Sequence, residues 1–196
     1  MVEPNTIYFV GSGPGDPELI TLKAKKLLEN ADVVVYSGSL LNPKLLEFAK
    51  KDATLHDAAL LDRTKIYEIL RNSTKQGKLA IRFHDGDPAL FSTIREQIDK
   101  LNLDGINCKV VPGITAILGA ASSLNLELTL PGITQTLIIT RAELRTPVPE
   151  GERISNLATH GATMAFYLSV HLIRNIVDEL IKGGSYQTST PAAVVY

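Results

Sequence analysis

Short apolar runs of β-prone residues alternate along this chain with stretches whose apolar positions recur at helical spacing. That rhythm restricts the fold to α/β architecture built on a largely parallel sheet. The predicted strands are Ile7–Val10, Val33–Tyr36, Leu79–Phe83, Val110–Val111, Leu137–Thr140, Thr163–Tyr167 and Ala192–Tyr196. Leu19, Leu22, Ala24, Leu27 and Leu28 share one helical face, as do Ile66, Ile69 and Leu70, and a long helix is predicted over Val170–Lys182. Residues 125–135, which include Pro131 and Gly132, interrupt the rhythm as a linker between an N-terminal lobe, 1–124, and a C-terminal lobe, 136–196. The second lobe keeps about three predicted strands, fewer than the roughly 5 to 6 of an average sheet, so it is expected to be incomplete.

Composition narrows the partners. With 20 Lys and Arg against 21 Asp and Glu, the net charge is −1 and the long-range pull that drives nonspecific nucleic-acid binding is missing. The single cysteine, Cys108, has no partner for a disulfide or a metal-binding pair and reads as a buried filler beside Val110 and Val111. The four histidines, His56, His84, His160 and His171, are scattered without metal-ligand spacing, so no metal site is expected. The first apolar run is short and followed at once by Gly and Pro, unlike an export signal, and no run approaches the roughly 20 residues that span a bilayer. A cytoplasmic enzyme is the expectation.

The first predicted strand leads into Gly11-Ser12-Gly13-Pro14-Gly15-Asp16-Pro17. A dinucleotide fingerprint would need a third glycine where Asp16 stands, and Pro14 has no N–H for a phosphate cradle. The second strand ends at Tyr36, where an acidic ribose ligand would be needed. A tight turn with glycine at positive φ explains the segment equally well on its own. Two further loops follow apolar strands, His84-Asp85-Gly86-Asp87-Pro88-Ala89-Leu90-Phe91 and Pro112-Gly113-Ile114-Thr115-Ala116. In an open parallel sheet such loops converge at the carboxyl edge of the strands, where ligands bind.

Together these segments resemble the tetrapyrrole methylase family, marked by a GxGPGDP turn, a GDP loop followed by an aromatic residue, and a VPGIT loop. The resemblance covers essentially the whole chain. The run Thr134–Glu143 and the segment Arg145-Thr146-Pro147-Val148-Pro149-Glu150 are similar to one branch, the precorrin-4 and cobalt-precorrin-4 C(11)-methyltransferases of cobalamin synthesis. The resemblance implies S-adenosylmethionine bound in the cleft between two α/β lobes, a precorrin-type tetrapyrrole acceptor and a homodimer. Carried over position by position, it implies donor contacts at Pro14, Asp85, Gly86, Asp87, Leu90, Thr115, Ala116 and Leu168. Each has a plainer reading: Asp87 before Pro88 as a turn former, Thr115 as a helix N-cap, Leu168 as a core leucine.

Methyl transfer from a sulfonium to an electron-rich ring carbon needs alignment and exclusion of water more than a strong base, and the residues identify no catalytic base. The implied acceptor carries acetate and propionate carboxylates, for which Arg141, Arg145 and His84 are the candidate partners. Arg141 paired with Glu143 or Glu150 to brace a loop is the alternative. Competing functions are methylation of another ring carbon, of diphthamide or of ribosomal RNA, or an inactive truncated binding module. Because the chain stops inside the apolar run Pro191–Tyr196, the sequence reading expects association through the second lobe and weaker donor binding than in a longer chain.

Overall fold

The computed structural model describes residues 2–143 and 146–195. The chain forms two compact units, Met1–Gly119 and Ala120–Tyr196. The first unit is a five-stranded parallel sheet built from β1 (Thr6–Gly11), β2 (Val33–Tyr36), β3 (Thr54–Asp57), β4 (Ala80–His84) and β5 (Asn107–Val111), in the order β3-β2-β4-β1-β5. Helices α1 (Leu22–Asn30), α2 (Arg63–Lys75) and α3 (Ile94–Leu103) connect them, and α4 (Ala116–Ser123) follows β5 across the division between units.

Side-chain alternation along the central strands sorts the core into two layers. Tyr8 and Val10 of β1 and Ile81 and Phe83 of β4 pack against Ala24, Leu27 and Leu28 of α1. Ile7, Phe9, Val33, Val35 and Ala80 on the opposite face pack against Ile66 and Leu70 of α2 and Leu101 of α3. β1 therefore reads as a continuous apolar run because both of its faces are covered. Helix starts follow local chemistry: the Thr21 hydroxyl accepts from Ala24 N at 3.1 Å, and the Asp62 carboxylate from Lys65 N at 2.7 Å.

The second unit has a parallel pair, β6 (Leu137–Arg141) and β7 (Thr163–Tyr167), with α5 (Ile154–Ala158) and α6 (Ile173–Lys182). Ala142, Ile154 and Ile176 form its buried cluster. The expected strand at Ala192–Tyr196 is corrected: residues 192–195 join no ladder, and Val194 and Val195 are exposed. An apolar run becomes a strand only when a neighbour takes up its N–H and C=O groups, and none among the described residues does so here. Conversely β3 was not anticipated, because Thr54-Leu55-His56-Asp57 is a short edge strand with little apolar signal.

Candidate functional site

The loop after β1 departs toward α1 on one face of the sheet, and the loop after β4 departs toward α3 on the other. β1 and β4 are neighbours, so these loops part at their carboxyl ends, the topological position where α/β sheets bind ligands. Backbone hydrogen bonds tie the two loops together at this edge. Gly86 N donates to Gly13 O at 2.9 Å and Gly13 N to Gly86 O at 3.2 Å, while Ser12 N donates to His84 O at 2.8 Å.

Glycine allows the loop after β5 to join them. A Cβ on Gly113 would lie 2.2 Å from Gly86 O, and one on Gly11 would lie 2.6 Å from both Gly86 O and Gly113 N. Three backbones thus meet without side chains between them. Asp87 fastens the same junction: its Oδ2 accepts from Gly113 N at 3.0 Å and its Oδ1 from Ala89 N at 2.7 Å. Pro14 seats on α4, where a Cβ at Gly119 would lie 2.5 Å from the proline Cβ.

The segments 11–17, 85–91 and 112–116 carry Asp16, Asp85 and Asp87 and no Lys or Arg. Such a surface suits a cationic ligand with hydroxyl and amino groups and opposes a pyrophosphate. Beyond Asp87 the chain holds Phe91 at φ 54° and Thr93 at φ 48°, both left-handed and neither glycine. That conformation costs on the order of 1–3 kcal/mol per residue and persists where surrounding structure enforces it. Leu90 is half-buried and Ala116 is exposed. The Thr115 carbonyl accepts from Leu118 N at 3.0 Å, which places Thr115 at the start of α4.

His84, expected near an acceptor's carboxylates, is instead the last residue of β4 and only 2% exposed. It stacks on Phe9 with ring centroids 6.1 Å apart, and its Nε2 is enclosed without a hydrogen-bond partner among the described residues. Burial, with the nearby Arg82 charge, lowers its pKa to about 3, so it is neutral in the fold. A residue that sequence reasoning passed over lies beside it. Arg82, 7% exposed, is a charged residue inside an apolar strand, and that oddity was the available signal.

In the second unit, Leu168 follows β7 at φ 55° and is 53% exposed, so it is not a core leucine. Arg141 ends β6 and bonds carbonyls: Nη1 and Nη2 each donate to Thr146 O at 3.1 Å, and Nη2 to Pro147 O at 3.2 Å. It forms no ion pair with Glu143 or Glu150 among the described residues. Arg145 lies outside the described residues.

The profile of the Tetrapyrrole (Corrin/Porphyrin) Methylases matches residues 6–196. The chain belongs to this family. It is 49% identical over 190 residues to the cobalt-precorrin-4 C(11)-methyltransferase of Methanocaldococcus jannaschii, covering 97% of this chain and 73% of that protein. It is 43% identical over 191 residues to the precorrin-4 C(11)-methyltransferase of Pseudomonas aeruginosa, covering 97% of this chain and 75% of that protein. A solved cobalt precorrin-4 methyltransferase superposes with a TM-score of 0.89 at 41% identity, over 92% of this chain and 75% of that one. A uroporphyrin-III C-methyltransferase of Thermus thermophilus, solved with S-adenosylhomocysteine, superposes with a TM-score of 0.74 at 27% identity, over 91% of this chain and 72% of that one.

Proposed function

We propose that the chain is an S-adenosylmethionine-dependent methyltransferase acting on a ring carbon of a precorrin-4 or cobalt-precorrin-4 type tetrapyrrole, in the synthesis of cobalamin. The observation that carries this reading is the glycine junction of three loops, acidic and free of basic side chains, in a chain 49% identical to a cobalt-precorrin-4 C(11)-methyltransferase. Its donor-binding residues in the first unit are Pro14, Asp85, Gly86, Asp87, Leu90, Thr115 and Ala116. The bound donor supplies an already activated methyl group on a sulfonium.

The residues present fit such a donor. Backbone N–H and C=O groups are held in place by the Gly11, Gly86 and Gly113 packing, so they need no reorganisation when a ligand arrives. Each Asp87 oxygen has taken one hydrogen bond, and a carboxylate offers about four acceptor positions, which leaves capacity for ligand hydroxyl or amino groups. On the acceptor side the reading assigns Arg141 and Arg145 to carboxylates. Arg141 has Nη1 and Nη2 committed to carbonyls, so its recognition of a carboxylate uses the remaining N–H. A cytoplasmic homodimer belongs to the same reading.

Calorimetry tests the donor half. S-adenosylhomocysteine is expected to bind stoichiometrically, whereas NAD and ATP, whose phosphates meet three carboxylates and no cation, are expected not to bind. Tighter binding of either nucleotide than of S-adenosylhomocysteine contradicts the reading.

A further inference from the structure

The three glycine loops occupy the β4-β1-β5 half of the sheet's carboxyl edge, and the β2-β4 side carries a different chemistry. Arg82 stands at the middle of β4, directly opposite Val35 of β2. Strand alternation puts it on the face of Ala80 and His84, beneath α2 and α3. Its Nη1 reaches the end of β2, 3.1 Å from Val35 O and 3.5 Å from the hydroxyl of half-buried Ser37 in the following loop. Its Nε is enclosed and makes no hydrogen bond among the described residues.

No carboxylate lies within ion-pair distance of Arg82 among the described residues, although the charge of Asp85 is felt there. A guanidinium more than nine-tenths buried without an anion is a costly arrangement, since hydrogen bonds to neutral carbonyls do not return the hydration it has lost. Burial lowers its pKa to about 10, so it remains charged at neutral pH. Strand packing would be served better by an aliphatic side chain of the same length.

We infer that Arg82, with Ser37, forms a carboxylate subsite for the tetrapyrrole acceptor at the carboxyl ends of β2 and β4. This rests on the methyltransferase reading above for the identity of the acceptor. A peripheral carboxylate of the macrocycle supplies the missing anion, and the planar guanidinium fixes the ring's orientation beside the loops that hold the donor. The energetic signature is an exchange of stability for binding, because replacing a buried ion by an apolar side chain of similar size is commonly neutral or stabilising.

The test uses the full chain with uroporphyrin III as the probe, in wild type, Arg82→Met and Arg82→Lys. Thermal unfolding, S-adenosylhomocysteine calorimetry and uroporphyrin III fluorescence titration are measured on each. Arg82→Met is expected to unfold at or above the wild-type temperature and to bind S-adenosylhomocysteine as before. It should bind uroporphyrin III about 10- to 100-fold more weakly, the loss expected for a charge-assisted hydrogen bond, with Arg82→Lys between the two. Wild-type uroporphyrin III affinity in Arg82→Met, or no binding of uroporphyrin III by wild type, overturns the subsite. If Arg82→Met does not fold, Arg82→Lys decides: several-fold weaker binding supports the subsite, and unchanged binding overturns it. Failure of wild type to bind S-adenosylhomocysteine, with Arg82-dependent uroporphyrin III binding intact, would fault the donor assignment and support the subsite.

Discussion

Gly113→Ala is expected to weaken donor binding strongly and to destabilise the first unit by about 3 kcal/mol or more. The added methyl would sit 2.2 Å from Gly86 O and 3.0 Å from Gly11 Cα. Both neighbours are backbone, so no side chain can swing aside, and relief requires the loops after β1, β4 and β5 to move apart. Gly113 is outside the left-handed region, so the expected damage comes from crowding and not from a disallowed backbone. Opening the junction also pulls Gly113 N from the Asp87 carboxylate. S-adenosylhomocysteine affinity should fall roughly 100-fold or more, which corresponds to about 2.7 kcal/mol. Gly151→Ala is the control: it has open space and an ordinary backbone, and it should leave stability and affinity as they were. Calorimetry and urea unfolding of both variants check the pair, and wild-type affinity in Gly113→Ala would show that the junction does not shape the site.

The second large effect is expected at Asp87. Asp87→Ala leaves the half-buried Gly113 N without its acceptor and frees the turn at Ala89, so the loops after β4 and β5 lose a side-chain tie. We expect a stability loss of about 1–3 kcal/mol and a fall in S-adenosylhomocysteine affinity of about 10- to 150-fold. Asp87→Asn separates a brace from a mere turn former. An amide has one acceptor oxygen and would set its NH2 against the second N–H, so the asparagine variant should approach alanine and not wild type. Wild-type donor affinity in a folded Asp87→Asn would show that one oxygen suffices and would remove the two-loop tie from the account.

The sequence made visible what depends on local chemistry. The runs Val33–Tyr36 and Thr163–Tyr167 are strands with the anticipated ends, and the runs at Ile7–Val10 and Leu137–Thr140 extend by a residue or two; β1 and β2 are buried and read as continuous apolar runs, whereas β6 and β7 are mostly half-buried. The three glycine loops could be placed at one edge because strand order does not alter which end of a parallel strand a loop leaves. Features set by distant partners stayed hidden. The polar edge strand β3 exists only because β2 offers it a ladder, and Ala192–Val195 is equally strand-like in composition but has no such neighbour among the described residues. His84 looked like the first residue of a loop, yet it closes β4 and faces Phe9. That Gly11, Gly86 and Gly113 touch one another could not be read from three separate motifs, nor could the double use of the Asp87 carboxylate.

The central claim is methyl transfer to a tetrapyrrole carbon. The most direct measurement incubates the chain with methyl-labelled S-adenosylmethionine and, separately, cobalt-precorrin-4, precorrin-4 and uroporphyrin III, followed by mass spectrometry of each macrocycle. The account predicts one labelled methyl group on the precorrin-4 type acceptors, with S-adenosylhomocysteine formed in equal amount. Retention of the label on a bound donor in the presence of every one of these acceptors would contradict it.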